Sequence, residues 1–286
     1  MRVNSLKHDE PDFPQLLRHI PSPPKQLFWL GAHPKSFLDK PRVAVVGSRQ
    51  ASSYGAQVTE RLVNALTKAG VVIVSGLALG IDSIAHAACL RAGGLTIAVL
   101  PSGLNQIYPA SHLGLAKQIV ENGGCLISEY PPSAEIYQSN FIARNRLISG
   151  LADVLLITEA AKHSGTMHSA GFALEQGRSV MAVPGNINSL GSEGCNSLIK
   201  NGATPVTSVD DVLVELGIDP KPLQGSRAFR AGPNEQKIFD LIRSGIGDQQ
   251  QLATAARLNG SQLSAALRGL EINGYIRAES GSWSLK

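Results

Sequence analysis

The chain has 286 residues, 43% hydrophobic and 17% charged, proportions that are typical of globular proteins and exclude a disordered or low-complexity class. Lys and Arg number 26 against 22 Asp and Glu, and because the net charge is only +4, any nucleic-acid site must be a local cluster. The sequence has three isolated cysteines, no apolar N-terminal segment and no run of about 18 apolar residues, which predicts a cytoplasmic protein without disulfides or membrane spans.

The first two thirds of the chain predict one large α/β domain. Residues 1–41 are rich in proline, and we expect an ordered lead-in segment with one short helix that packs on the domain that follows. The predicted strands are the short apolar runs at residues 42–46, 71–74, 95–100, 125–128, 153–158 and 179–183. Amphipathic helices such as residues 81–92 separate them, and a last helix covers residues 208–216. This alternation predicts a doubly wound, mostly parallel sheet over residues 42–216, with helices on both faces.

The remainder predicts a small second domain. Residues 217–231 are rich in Pro, Gly and Arg, which is typical of an exposed linker. Three short helices then follow, with Asn234, Asp248 and Ser261 as their predicted N-caps. Two short strands flank ESGS at residues 279–282, which is typical of a hairpin. The order of three helices and a hairpin predicts a winged-helix domain over residues 232–286.

Small and polar residues follow the predicted strands at the point where each strand ends. The segments are GSR at 47–49, SGLALGID at 75–82, PSGLNQIYP at 101–109, EAAKHSGT at 159–166 and VPG at 183–185. Because the carboxyl ends of parallel strands meet at one edge of a sheet, these loops predict one composite site. The candidate phosphate-binding glycines are Gly47, Gly76, Gly80 and Gly165, with hydroxyl donors from Ser48 and Ser164. For any single loop, tight packing explains the glycine equally well.

The segment FIARNRLISG, residues 141–150, is typical of single-stranded nucleic-acid binding. A base can stack on Phe141 while Arg144 and Arg146 hold the neighbouring phosphates. The alternative for such an isolated segment is an aromatic ring in the core beside two solvated arginines. Lys162 and Arg178 are further candidate phosphate contacts, although a solvated surface position explains them equally well.

Other polar residues point to weaker hypotheses. Asp82 and His86 stand four residues apart on one predicted helix, which suits a metal or an acid–base pair, but a structural hydrogen bond is favoured because no third ligand has suitable spacing. His163 and His168 flank the SGT turn and could contact a polyanion. Neither GxGxxG nor the P-loop pattern occurs, so no nucleotide cofactor is predicted.

Taken together, these segments resemble the bacterial DNA-processing protein A family, also called DprA or Smf, over residues 12–216. The match includes VAVVGSRQASSYG, SGLALGIDSIAHAACL, FIARNRLISGL and SGTMHSAGFALEQGRSVMAVPG in the family's order. The resemblance implies an extended Rossmann-like sheet without a cofactor. It also implies a non-enzymatic protein that binds and protects incoming single-stranded DNA, helps load the RecA recombinase during natural transformation or recombination, and forms dimers.

The resemblance also implies a set of DNA contacts. They are Ser48, Arg49, Phe141, Arg144, Asn145, Arg146, Lys162, Ser164 and Gly165. The sequence departs from the family at one of these loops, where SGSLITA is replaced by SGTMHSA, so His168 and Ser169 alter the rim of the turn.

Two alternatives remain open. A nucleotide-binding enzyme such as a LOG-like nucleoside monophosphate phosphoribohydrolase shares this fold variant and a PGGxGTxxE motif, but aligning its GT on Gly165 and Thr166 puts Ser169 at the glutamate position. The second alternative is a regulator that binds duplex DNA through the winged-helix domain. The third helix of that domain carries Glu271 beside Arg268, which is a poor electrostatic face for the major groove.

Overall fold

The computed structural model describes residues 2–220, 232–279 and 282–285. The described residues fall into two compact units, one on each side of residues 221–231. Residues 221–231 of the predicted linker lie outside the described residues. Residues 280 and 281 of the predicted hairpin turn lie outside them as well.

The first unit is built on a sheet whose described strands follow the order β1-β2-β6-β5-β4-β3-β7-β8-β9. The strands are β1 (Asn4–Lys7), β2 (Gln26–Gly31), β3 (Arg42–Gly47), β4 (Val72–Ser75), β5 (Thr96–Val99), β6 (Cys125–Ser128), β7 (Val154–Glu159), β8 (Ser179–Ala182) and β9 (Thr204–Pro205). All neighbouring pairs from β6 to β9 are parallel. The six apolar runs form β3 to β8 to within one residue at each end, and the predicted doubly wound α/β fold is confirmed.

Helices cover both faces of this sheet because its central strands are apolar on both sides. They are α1 (Gln15–Arg18), α2 (Ser53–Lys68), α3 (Ile81–Arg91), α4 (Leu113–Glu121), α5 (Gln138–Gly150), α6 (Thr166–Glu175), α7 (Glu193–Lys200) and α8 (Val209–Glu215). In β3, Val43 and Val45 face a core that includes α2 and α3, whereas Ala44 and Val46 face a core that includes α5 and α6. Full burial of one such valine contributes about 1.5 to 3 kcal/mol.

The lead-in segment is part of the sheet. It contains the short helix α1, but also two strands that the sequence analysis did not predict. β1 pairs antiparallel with β2, and β2 pairs antiparallel with β6, with Phe28 opposite Ser128. Leu27 and Trp29 of β2 are buried in the core that α5 shares. Phe28 and Leu30 are partly buried against a second core, so β2 is apolar on both faces, and the flanking prolines obscure this short strand in the sequence.

Close backbone contacts fix the loops at the carboxyl edge of the sheet. The pairing of β3 with β7 shifts register between Val46 and Gly47, after which Ser48 N–H donates to the Glu159 carbonyl at 2.8 Å. The Ser48 carbonyl accepts from Ile81 N–H at 3.1 Å. Gly80 has a φ of 75°, and a Cβ there would collide with the same Ser48 carbonyl. The GSR loop is therefore held against the start of α3.

The second unit contains three helices followed by two antiparallel strands. They are α9 (Pro233–Arg243), α10 (Gln249–Ala256), α11 (Gly260–Ile272), β10 (Ile276–Glu279) and β11 (Ser282–Leu285). Ile238, Leu252, Leu267 and Ile276 are buried in one shared core. The assignment of this unit as a winged helix stays a prediction.

The helix starts of the second unit differ in part from those predicted. Asp248 caps α10, its carboxylate accepting from Gln250 and Gln251 N–H. The predicted caps Asn234 and Ser261 are wrong, because α9 begins after Gly232 with proline at its first turn and α11 is capped by Asn259. The Asn259 side chain accepts from Gln262 N–H, whose own side chain reaches back to the cap, and this reciprocal pair fixes the earlier start.

Within the described residues, no helix combines the length and the apolar character that crossing a membrane requires.

Candidate functional site

A cleft of about 410 Å³ opens at the carboxyl ends of β3 and β7. It lies between the loop after β3, the loop before α6, and one face of α5. The predicted site residues that line it are Gly47, Ser48, Arg49, Phe141, Arg144, Asn145, Ser164 and Gly165. The cleft therefore brings together eight of the residues singled out in the sequence, from three separate segments of the chain.

The GSR loop is the most tightly built wall of this cleft. A Cβ on Gly47 would lie 2.6 Å from Ile81 Cγ1 and 2.7 Å from the Glu159 carbonyl oxygen, so no larger residue fits. Thr166 Oγ1 donates to the Gly47 carbonyl at 3.0 Å and joins this loop to the start of α6. Gln50 N–H donates to Ser48 Oγ at 3.1 Å, which holds the backbone turn that presents Arg49.

Arg49 and Phe141 form a stacked pair at the rim of the cleft. The exposed Arg49 guanidinium lies 5.3 Å from the centre of the half-buried Phe141 ring. The Tyr108 ring meets Phe141 edge-on, with 5.2 Å between ring centroids and 75° between planes. An exposed cation–π contact of this kind contributes only about 0.5 to 1 kcal/mol, so a ligand can displace it.

Arg144 lies in the cleft wall but is only 3% exposed. Its guanidinium donates to the Gly76 carbonyl at 2.5 Å and to the Val99 carbonyl, and its Nε donates to Asn145 Oδ1 at 3.2 Å. Burial lowers the pKa of Arg144 to about 10, and the nearby Asp82 carboxylate opposes this shift. Arg144 therefore stays charged at neutral pH and ties the ends of β4 and β5 to α5.

These positions contradict the alternative in which residues 141–146 place an aromatic ring in the core beside two solvated arginines. Phe141 is half-buried at the surface, and Arg144 is the buried member of the segment. Gly76 was predicted to make room for a phosphate, but in the structure it makes room for Arg144. A Cβ at this position would collide with the Arg144 guanidinium.

The structure does not bring Arg146 to the cleft. Its guanidinium donates to both carboxylate oxygens of Glu129, at 2.6 and 3.1 Å, and both side chains are largely buried. Arg146 lines a separate depression together with Pro23 and Pro24. The reason is geometric, since residues two apart on a helix point in nearly opposite directions and Arg144 already faces the cleft.

The other predicted cations lie outside the cleft lining. Lys162 and His163 are exposed in the loop between β7 and α6, next to the lining residues Ser164 and Gly165. Burial lowers the pKa of Arg178, whose charge interacts with Asp153 and Arg42. Since Asp153 and Arg42 lie at the amino ends of β7 and β3, Arg178 belongs to the opposite edge of the sheet.

Asp82 and His86 make separate structural contacts. Asp82 accepts a hydrogen bond from Gly76 N–H at 3.0 Å, and burial raises the pKa of its carboxyl against the charge of Arg144. His86 Nδ1 shares a 2.7 Å hydrogen bond with Thr96 Oγ1, and burial lowers its pKa to about 3. Nowhere in the part of the chain that the structure describes do three His, Cys, Asp or Glu side chains come together as metal ligands.

Sequence reasoning missed the aromatic neighbours of Phe141. Tyr108 lies in the PSGLNQIYP segment, and Tyr137 directly precedes α5. Both line a depression that adjoins the cleft. The segment containing Tyr108 had been recognised as a strand-end loop, but nothing in a single sequence shows that its tyrosine would reach α5.

Comparisons with known proteins agree on one family. The family model described as DNA recombination-mediator protein A matches residues 4–217. Protein Smf of Synechocystis is 41% identical over 252 residues, which cover 87% of this chain and 61% of that protein. The chain therefore spans about three fifths of the length of this relative.

Two solved structures are also similar. DNA processing protein A from Streptococcus pneumoniae has a TM-score of 0.70 and 40% identity, and the match covers 75% of each chain. DNA processing protein A from Helicobacter pylori, whose structure concerns its single-stranded DNA binding mode, has a TM-score of 0.68 and 33% identity. That match covers 76% of this chain and 96% of the Helicobacter chain.

Proposed function

The chain belongs to the DNA recombination-mediator protein A family, and on this premise we propose that it is a DNA-processing protein that binds single-stranded DNA without catalysing a reaction. The observation that carries the proposal is the Arg49–Phe141 pair, in which a displaceable cation covers an accessible aromatic ring at the mouth of a polar cleft. The Helicobacter relative, with its single-stranded DNA binding mode, supports the same ligand.

The Arg49–Phe141 pair suits single-stranded DNA because Phe141 can stack on a base while Arg49 binds the adjacent phosphate. When a base stacks on Phe141, Arg49 moves from the ring to the adjacent phosphate and exchanges a weak cation–π contact for a charge-assisted hydrogen bond. Stacking on an aromatic side chain contributes about 1 to 3 kcal/mol per base and tolerates every base. We therefore expect binding with little sequence preference, and weaker binding to duplexes, whose bases are already stacked.

The polar end of the cleft suits a phosphate group. The buried Ser164 hydroxyl has no hydrogen-bond partner among the described residues. Gly165 directly precedes α6, and the partial positive charge at the N-terminus of a helix favours an anion. We propose that Ser48, Asn145, Ser164 and Gly165 contact the sugar–phosphate backbone, with the exposed Lys162 beside them.

Arg144 and Arg146 have different roles in this proposal. Arg144 positions the loops and adds a buried positive charge beneath the cleft, since its N–H groups already donate to backbone carbonyls. Arg146 holds Glu129 and thereby α5, and we assign it no direct DNA contact. Both arginines therefore act on DNA through the parts of the protein that they position.

Fluorescence anisotropy with labelled single-stranded and duplex oligonucleotides of equal length tests the site. We expect tight, salt-sensitive binding to the single strand, and for Arg49→Ala a weaker affinity with a salt slope reduced by about one. Arg91→Ala is the matched control, because this exposed arginine ends α3 at the opposite edge of the sheet. Equal binding to both oligonucleotides, or an Arg49→Ala variant that binds like Arg91→Ala, would refute the proposal.

Protection of DNA, loading of RecA and dimerisation are proposed from family membership. Nuclease protection of bound oligonucleotides, RecA filament formation on coated DNA, and the molar mass in solution against the 30.2 kDa chain test them separately. We propose that the protein acts in the cytoplasm, which the three buried free thiols Cys89, Cys125 and Cys195 support.

The rival enzymatic function lacks its key residue. Ser169, at the position expected for the catalytic glutamate of a phosphoribohydrolase, lines the cleft and is 2% exposed. Among the described residues that line the cleft, Asp82 carries the single carboxylate, and this carboxylate accepts a hydrogen bond from Gly76 N–H. Incubation with nucleoside monophosphates should release no free base, and sustained turnover that Asp82→Asn abolishes would instead establish the enzyme.

A further inference from the structure

A second depression, of about 580 Å³, adjoins the cleft on the far side of the stacked pair. Arg49, Phe141 and Ile142 line both spaces, so the two meet at the Arg49–Phe141 pair. The other lining residues of this tyrosine basin are Gln106, Tyr108, Ile136, Tyr137 and Gln138. A strand that crosses the pair would leave the cleft and enter the basin directly.

Two tyrosine rings are exposed in the basin. Tyr108 is 44% exposed and Tyr137 is 59% exposed. The Tyr108 ring makes a T-shaped contact with Phe141, and the Tyr137 hydroxyl donates to Glu135 Oε2 at 3.1 Å. The contact with Phe141 holds the Tyr108 ring, and the hydrogen bond to Glu135 holds the hydroxyl of Tyr137. Both rings keep aromatic surface exposed to solvent. Such surface is unfavourable in water and becomes useful when a planar ligand covers it.

The charges of the basin favour a nucleobase over a phosphate. Arg49 is the single charged residue among the described residues that line the basin. We assign it to the phosphate next to the base on Phe141. The side-chain amides of Gln106 and Gln138 carry both donors and acceptors, which match the edge of any base. Glu135 lies nearby but is held by the Tyr137 hydroxyl.

We propose that the tyrosine basin is a second nucleobase subsite, which takes a base next to the one stacked on Phe141. The base contacts the rings of both Tyr108 and Tyr137, the glutamine amides contact its edge, and Arg49 holds the phosphate between the two bases. This inference rests on the proposed function and extends the same site by one nucleotide.

Tyrosine variants test the subsite in anisotropy titrations with oligothymidylates of about 4 to 16 nucleotides. Tyr137→Ala and Tyr108→Ala should each weaken binding about 5- to 150-fold, whereas Tyr137→Phe and Tyr108→Phe should stay within about twofold. Tyr54→Ala is the matched control, since this tyrosine is 47% exposed but lines a different depression.

The length series gives a readout that a structural role would not change. Each occupied subsite adds one step in affinity as the oligonucleotide lengthens. The double variant Tyr108→Ala/Tyr137→Ala should lack one of these steps while it keeps the step that depends on Phe141. Should Tyr108→Ala lower the thermal stability through its contact with Phe141, Tyr137→Ala decides the question, because the Tyr137 hydroxyl contacts only the exposed Glu135 among the described side chains.

The outcomes separate the two proposals. Wild-type protein that does not bind oligothymidylate, or that binds as well with Arg49→Ala and Phe141→Ala, overturns the proposed function and the subsite together. Loss of binding in those two variants, with both tyrosine variants behaving like Tyr54→Ala over the whole length series, overturns the subsite alone.

Discussion

Replacing Arg144 by methionine should destabilise the first unit, because this arginine is a buried connector. Methionine replaces the aliphatic part of the arginine side chain but lacks the guanidinium, so the buried carbonyls of Gly76 and Val99 lose their donors. Each unsatisfied buried acceptor costs about 1 to 3 kcal/mol, and the gain from no longer burying a guanidinium offsets part of the sum. We expect a net loss of about 2 to 5 kcal/mol.

The loss should depend on pH through Asp82. Burial raises the pKa of this carboxyl and the charge of Arg144 opposes the shift, so Arg144→Met should raise the pKa further. Below its folded-state pKa the carboxyl is protonated, and an acid with a raised folded pKa stabilises the fold there relative to higher pH. The stability that Arg144→Met loses at neutral pH should therefore be regained in part as the pH falls through the raised pKa.

Urea unfolding of wild type, Arg144→Met, Asp82→Asn and the double variant measures this coupling. Asparagine keeps an acceptor for Gly76 N–H and carries no charge, so the double variant should be more stable than Arg144→Met by about 1 kcal/mol or more. Arg144→Met with wild-type stability, or strictly additive losses in the double variant, would refute the reasoning.

Three further results are expected. Phe141→Ala should weaken single-stranded DNA binding about 5- to 150-fold in anisotropy titrations while Phe141→Tyr retains it, and equal affinity of all three proteins would contradict stacking. Gly80→Ala, at a φ of 75° and against the Ser48 carbonyl, should cost more than about 1 kcal/mol, seen as a lower melting temperature; an unchanged value would show that the loop can move. Burial raises the pKa of Cys89 to about 11 and of Cys195 to about 12, so a thiol reagent at pH 8 should react slowly until urea unfolds the protein, and rapid reaction of the folded protein would count against this burial.

The central sheet could be predicted because its strands are buried on both faces and read as continuous apolar runs. β2 was missed although its residues 27–30 are also apolar, because prolines flank this short run. Two of the three predicted caps of the second unit, Asn234 and Ser261, were misplaced, whereas Asp248 was correct. Asn259 and Ser261 are both good caps in isolation, and only the reciprocal bond with Gln262 selects the first.

The position of the cleft followed from strand ends alone, but the roles of its residues did not. Glycine, serine and arginine types identify a polyanion site, whereas burial decides which arginine can reach a ligand. Arg144 and Arg146 look equivalent in the sequence and lie on different sides of α5 in the structure. Tyr108 was invisible as a site residue because its proximity to Phe141 depends on a tertiary contact between distant loops.

The antiparallel addition of β2 to β6 also sets the order in which the sheet can be completed. The partner strand of residues 26–31 spans residues 125–128, so about a hundred further residues must be synthesised before this pair can close. Until then β2 has no partner strand at this edge, and its apolar residues and open backbone groups can pair with foreign strands. A chain that starts at residue 42 would keep the edge of β6 open permanently, and we expect it to aggregate.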